Sequence, residues 1–140
     1  MSPLWVIDTN VLVSAALTPG GICDRVLQHA QTGTFRIAWD NSLLAEYREV
    51  LARPRFGLSL SVVRRLLSAL PPVGYRRGKS TQLALPDPDD LIFVAVAFAT
   101  QERVIVTGNP RHFPKVAMHN LEITIMSPRQ AFERLEAMAG

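Results

Sequence analysis

Two stretches of this chain are apolar without interruption and then turn sharply polar. Leu4-Trp5-Val6-Ile7 runs into Asp8-Thr9-Asn10, and Val104-Ile105-Val106-Thr107 runs into Gly108-Asn109-Pro110. Strand formers that do not alternate with polar residues predict strands buried on both faces, as in a parallel sheet between helices. Residues 35–39 and 121–126 predict two more strands. Apolar residues at helical spacing predict helices over 10–17, 22–31, 43–52 and 60–70. Thr18-Pro19-Gly20-Gly21 and Pro71-Pro72 break the pattern, Gly33 is placed to cap a helix end, and Ser127-Pro128 opens a last helix through Met138. Residues 91–99 have no polar face at all; their length and alanine content predict a buried helix rather than a strand. Residues 73–85 form a basic connector without clear period, either mobile or an irregular edge strand, and 111–114 a short irregular element. Strands alternating with helices predict an α/β fold, a three-layer α/β/α sandwich with a central, mostly parallel sheet. We expect one domain over residues 1–140, with no repeats or linkers.

Composition narrows the function. With 48% apolar residues the chain has enough to build a core. One cysteine, Cys23, excludes an internal disulfide and, with histidines scattered at 29, 112 and 119, argues against a structural zinc site. The start lacks the basic flank and apolar core of a signal peptide, and no apolar run is long enough to cross a bilayer. These features predict a cytoplasmic protein that does not engage the membrane.

Charge is unevenly spread. The net value is +3, yet Arg48, Arg53, Arg55, Arg64, Arg65, Arg76, Arg77 and Lys79 share their segment with one acid, Glu49. A basic stretch against an otherwise acidic chain points to a polyanion such as RNA, with Arg53, Arg55, Arg76, Arg77, Lys79 and Arg111 as candidate contacts. The plainer alternative is a solvated arginine face.

The acids gather at predicted element ends. Asp8 ends the first strand, where parallel sheets place ligands, although Asp8 or Thr9 could simply cap the next helix. Glu46 borders the apolar face of its helix, where it either points inward or pairs with an arginine on the surface. Asp87-Pro88-Asp89-Asp90 precedes the buried helix: Asp87 suits an N-cap and Pro88 the first helical position, but three carboxylates exceed what capping needs and repel one another unless a cation offsets them. Asn109 follows the third strand. In a parallel sheet these ends share one edge, so Asp8, Glu46, Asp87, Asp90 and Asn109 can converge. Oxygen-only ligands suit Mg²⁺, or Mn²⁺, better than zinc.

The segments Val6-Ile7-Asp8-Thr9-Asn10-Val11-Leu12-Val13-Ser14-Ala15, Ser42-Leu43-Leu44-Ala45-Glu46-Tyr47, Asp87-Pro88-Asp89-Asp90 and Val106-Thr107-Gly108-Asn109-Pro110-Arg111-His112-Phe113-Pro114 together resemble the PIN-domain ribonucleases, and more closely the PIN-type toxins of prokaryotic type II toxin–antitoxin systems. The resemblance covers nearly the whole chain. It implies that Asp8, Glu46 and Asp90 are the metal-site acids, Asp87 an additional acid, and Thr9 and Asn10 braces of the site. It also implies RNA cleavage to 3′-hydroxyl and 5′-phosphate ends, a cognate antitoxin as partner, and a homodimer. Many members have aspartate where this chain has Asn109, which brings a ligating oxygen without charge and weakens the case for a strict two-metal mechanism. In the expected mechanism Asp8 and Asp90 hold Mg²⁺, Glu46 and Asp87 ligate it or orient its waters, and Thr107 and Asn109 position water or phosphate. Two alternatives stand beside it. One is a non-catalytic RNA-binding module with a degenerate metal site. The other is an aspartyl-nucleophile phosphatase, for which Asn10 replaces the second acid of the expected motif.

Overall fold

The computed structural model describes residues 2–140. Four parallel strands, β1 (Leu4–Ile7), β2 (Arg36–Ile37), β3 (Val104–Val106) and β4 (Thr124–Met126), form a sheet in the order β2-β1-β3-β4. Every residue of β1 and β3 is buried, as their unbroken apolar runs require. The helices are α1 (Thr9–Leu17), α2 (Ile22–Gln31), α3 (Asn41–Leu51), α4 (Leu60–Leu67), α5 (Leu91–Phe98), α6 (Lys115–Asn120) and α7 (Pro128–Ala139).

The strand order dictates the layers. From β1 the chain moves one way to β2, then back past β1 to β3 and on to β4. Right-handed crossovers therefore put the helices of the first connection and those of the later ones on opposite faces. In the packing, α2 lies against α1 and α7, α3 packs on α4 and α5, α1 also meets α3 and α4, and α5 covers β1 and β3. The result is the expected α/β/α sandwich. Its core runs through Val6, Ile7, Leu12, Ile37, Tyr47, Phe93, Val96 and Ile105. No helix among the described residues is long and apolar enough to cross a membrane.

Several boundaries differ from the pattern-based expectation, each for a local reason. The 35–39 run pairs with β1 only briefly, because Trp39 exchanges partners: its N–H donates to the Gly74 carbonyl and its carbonyl accepts from the Arg76 N–H. This single parallel bridge, Trp39 to Tyr75, makes part of the 73–85 connector an edge element. Gly74 permits the approach, since a Cβ there would lie 2.2 Å from the Ile37 carbonyl oxygen. Helix α4 ends at Leu67, and the Ala69 and Leu70 N–H groups tighten into i→i+3 bonds to the Leu66 and Leu67 carbonyls that still bury Ala69. The 121–126 run starts as strand only at Thr124, because Leu121 closes α6 and Glu122 turns through φ +57°. Helix α6 has no counterpart in the expected elements; it buries one side chain, Met118, too few for a periodic signal.

Candidate metal-dependent active site

The order β2-β1-β3-β4 has its switch point between β1 and β3, where connections leave in opposite directions, and open α/β sheets take their ligands at the strands' carboxyl ends there. Asp8 stands there. Its backbone occupies the N-cap of α1, but its side chain makes no capping hydrogen bond. Instead Asp8 Oδ2 accepts from the Thr107 hydroxyl (2.7 Å) across the switch point and from Asn10 Nδ2 (3.2 Å). Asn10 Oδ1 accepts in turn from the Gly108 N–H, and Thr107 Oγ1 accepts from the Asn109 N–H (2.9 Å). The ends of β1 and β3 are thus tied through side chains that grip a carboxylate. Capping alone therefore does not account for Asp8.

The acids before α5 divide. A 3₁₀ turn, Pro88–Asp90, leads into the helix, and Asp87 caps that turn by accepting the Asp89 N–H (3.0 Å). Asp90 is released from such service. It is buried, 8% exposed, and its Oδ2 has no partner in hydrogen-bond geometry. His112 Nδ1 lies 3.0 Å from that oxygen, near enough to pair as a cation but poorly directed for a hydrogen bond. Burial first, then the charge of Asp8, pushes the Asp90 carboxyl up to about 6, against the pull of His112. Burial likewise raises Asp8, although the Thr107 hydroxyl and the Thr9 and Asn10 amides hold it down in part.

Glu46 approaches from α3. The next residue, Tyr47, is fully buried, and its hydroxyl donates to the Ile7 carbonyl, the last of β1. This bond pins α3 beside the strand end that carries Asp8. Glu46 is half-buried and takes part in no ion pair among the described residues; Arg53, which could have neutralised it, pairs with Glu49 at 2.9 Å. Burial and then Glu49 raise its carboxyl, and Asp89 and Asp8 add to this.

Other candidates are less engaged. Thr9 is buried, but its hydroxyl has no hydrogen-bond partner among the described residues, so it does not brace the site by such a bond. Asn109 is exposed, with its backbone rather than its amide tied in. Arg111 follows in the exposed turn Pro110–His112. Arg55 lies over the Phe56 ring, and Arg77 and Lys79 are exposed. The Arg76 guanidinium donates to the Val73 and Tyr75 carbonyls and lines a hollow with Ser2, Leu4 and Arg36, at the opposite end of the strands. The residue that sequence reasoning left out is His112. It counts among the scattered histidines and stands in the segment quoted after the third strand without a role, yet its Nδ1 lies 3.0 Å from the free oxygen of Asp90. Its place in the loop after β3, three residues past Asn109, was the available signal. Among the described residues no three His, Cys, Asp or Glu side chains form a group that could hold a metal ion.

With this fold and strand-end site in view, the family follows. A model of the PIN domain matches residues 5–111, and the chain belongs to the PIN-domain family. No curated protein and no solved structure matches the chain.

Proposed function

We propose that this chain is a Mg²⁺-dependent endoribonuclease, a single PIN-like domain over residues 1–140. The observation that carries the reading is the pair of buried carboxylates, Asp8 and Asp90, each raised by burial and Asp90 raised further by Asp8, with one Asp90 oxygen lacking a well-directed partner. Such a pair is unfavourable unless a proton or a cation offsets it. The donor set fits a small hard ion: Mg²⁺ is commonly held by one or two carboxylates while keeping several waters, so two acids suffice where a third ligand is not in place. Mn²⁺ fits the same oxygens.

Asp8 and Asp90 would hold the ion, with Glu46 and Asp87 orienting its waters. When bound, the ion supplies a more acidic water and stabilises charge on the phosphoryl oxygens. The protein's own part is positional. Thr107 and Asn10 fix the orientation of Asp8, Tyr47 fixes the helix bearing Glu46, and Asn109 and Arg111 lie on the same loop, available to a phosphate. RNA cleavage, and the role of toxin with a cognate antitoxin and a homodimeric state, rest on the resemblance described above, as does action in the cytoplasm.

A labelled mixed-sequence single-stranded RNA, incubated with Mg²⁺ or Mn²⁺ and with EDTA, tests the reading. Cleavage should require the metal and fall about a thousandfold in Asp8→Asn, the scale of losing a group that stabilises transition-state charge. Cleavage unchanged in folded Asp8→Asn would overturn it. The missing third ligand and the uncharged Asn109 favour a second reading, a non-catalytic RNA-binding module. Metal-independent binding without product would select it.

A further inference from the structure

Beside the loop that carries Asn109 and Arg111 lies a hollow of about 310 Å³. Pro110, Phe113, Met118 and Ile125 give it apolar walls, and Lys115 and His119 stand exposed at its border. Two features set it apart from an ordinary surface depression. The first is continuity with the acids. Pro110 lines the hollow, and His112, in the same 3₁₀ turn, touches Asp90 at 3.0 Å. Two residues of chain span at most about 7 Å, so the Pro110 wall of the hollow lies within that backbone distance of the residue that meets Asp90. The second is charge. From Thr107 to Leu121 there is no acid, while Arg111 and Lys115 are cations and His112 and His119 offer ring nitrogens; the first acid is the exposed Glu122. Apolar walls with cations at the border match a nucleotide: a base for the hollow and phosphates for the border. An apolar peptide would leave those cations without partners.

We infer that this hollow is a base-binding subsite, which takes one nucleobase of a single-stranded RNA next to the bond to be cut. The inference rests on the nuclease reading and deepens it. It assigns part of the substrate grip to Lys115, His119 and Ile125, residues beyond position 111, where the family match ends. Exposed Pro110 and half-buried Ile125 supply apolar surface against which any base can lie, so sequence preference here is modest. A single strand is required because a paired base is not free to leave its stack.

The test uses full-length Asp8→Asn protein, which leaves the substrate intact, and two probes of equal length and charge: a short single-stranded RNA and the same chain with abasic sites. The RNA should bind about tenfold more tightly than the abasic chain. Adding Ile125→Asp, which puts a carboxylate in the hollow, should abolish that difference. Ile125 is only partly buried, and circular dichroism would check that the variant folds. The double change Lys115→Gln, His119→Gln, at exposed positions, should weaken both probes equally and keep the preference for bases. Equal binding of RNA and abasic chain by the Asp8→Asn protein would overturn the subsite while leaving phosphate binding and the nuclease reading intact. If neither probe binds and the wild-type chain cuts no RNA, the nuclease reading fails with it. Should Ile125→Asp instead halve the particle mass in sedimentation, the hollow is covered by a second copy and the inference is wrong.

Discussion

The chain has two basic regions, and they differ in what their charges face. Arg48 to Lys79 holds eight cations against one acid; Thr107 to Leu121 holds Arg111, Lys115 and two histidines against none. By count the first dominates. By placement it is dispersed: Arg53 is spent on Glu49, Arg55 lies on Phe56, and Arg76 turns to backbone carbonyls at the far end of the strands. The second region is short, but it begins at the end of β3, whose Thr107 grips Asp8, and it brings His112 against Asp90. Charge density along a sequence reports a long-range field that can steer a polyanion. Contact with a phosphate at the site is decided by which strand end the cation follows.

The largest effects should therefore come from the acids and the second region. Asp8→Asn should remove cleavage about a thousandfold, whereas Arg76→Ala, in the charge-dense stretch, should change it by less than about threefold. A large loss in Arg76→Ala would reverse the comparison. Arg111→Ala should weaken RNA binding uniformly across sequences and lower the slope of log K against log salt by about one, a change that Arg76→Ala should not produce. Salt titrations of the two variants side by side check this.

Sequence patterning revealed the sheet because β1 and β3 are buried on both faces, and such strands leave unbroken apolar runs. It singled out Asp8, which ends such a run at the topological switch point, and Asp90, which stands at the head of the wholly apolar α5. What stayed hidden depends on partners distant in sequence. No local pattern shows that Trp39 leaves β1 for Gly74 and Tyr75, that Tyr47 reaches the Ile7 carbonyl, or that His112 finds Asp90 across 22 residues of chain. Helix α6 stayed hidden for the opposite reason: it is local, but with one buried side chain it carries no period. The even choice between capping and function also resolved differently for neighbouring acids. Asp87 caps its turn, Asp8 does not, and the sequence around each offered a cap.

The acidic edge should be measurably unstable without metal, and this sharpens the contrast with the arginine stretch. Asp90 in the folded protein titrates near 6, against about 3.9 in an unfolded chain. Between those values the folded state holds the proton that the unfolded state has lost. Stability from this group is therefore present at low pH and lost as pH rises from about 4 to about 6, with the deficit persisting above. The two units correspond to a penalty of about 3 kcal/mol at pH 7.5. Asp90→Asn should raise Tm there by about 10 °C and flatten the dependence between about pH 4 and 6. Mg²⁺ or Mn²⁺ should stabilise the parent protein and have no such effect on the variant. A variant that melts lower at pH 7.5, or that still gains stability from the ion, would mean that Asp90 is held by interactions other than those at the strand end.

The smallest effect belongs to the arginine stretch. Arg53 and Glu49 form an i,i+4 pair at 2.9 Å with side chains 41% and 61% exposed. An exposed pair of this kind, between the last turn of α3 and the residue past its cap, contributes about 0.3 kcal/mol, so Arg53→Ala should lower Tm by no more than about 1 °C. Its effect on Glu46 is the more informative readout. Arg53 is the one cation that lowers the Glu46 carboxyl, against burial and the neighbouring acids. Removing it should push Glu46 further up, so that the apparent pKa of the metal-dependent rate rises while RNA affinity stays within about twofold. That outcome would place Arg53 with the acids rather than with the substrate. A loss of RNA affinity larger than that of Arg111→Ala would show that the charge-dense stretch grips the strand after all, and that placement at β3 is not what selects the contacts.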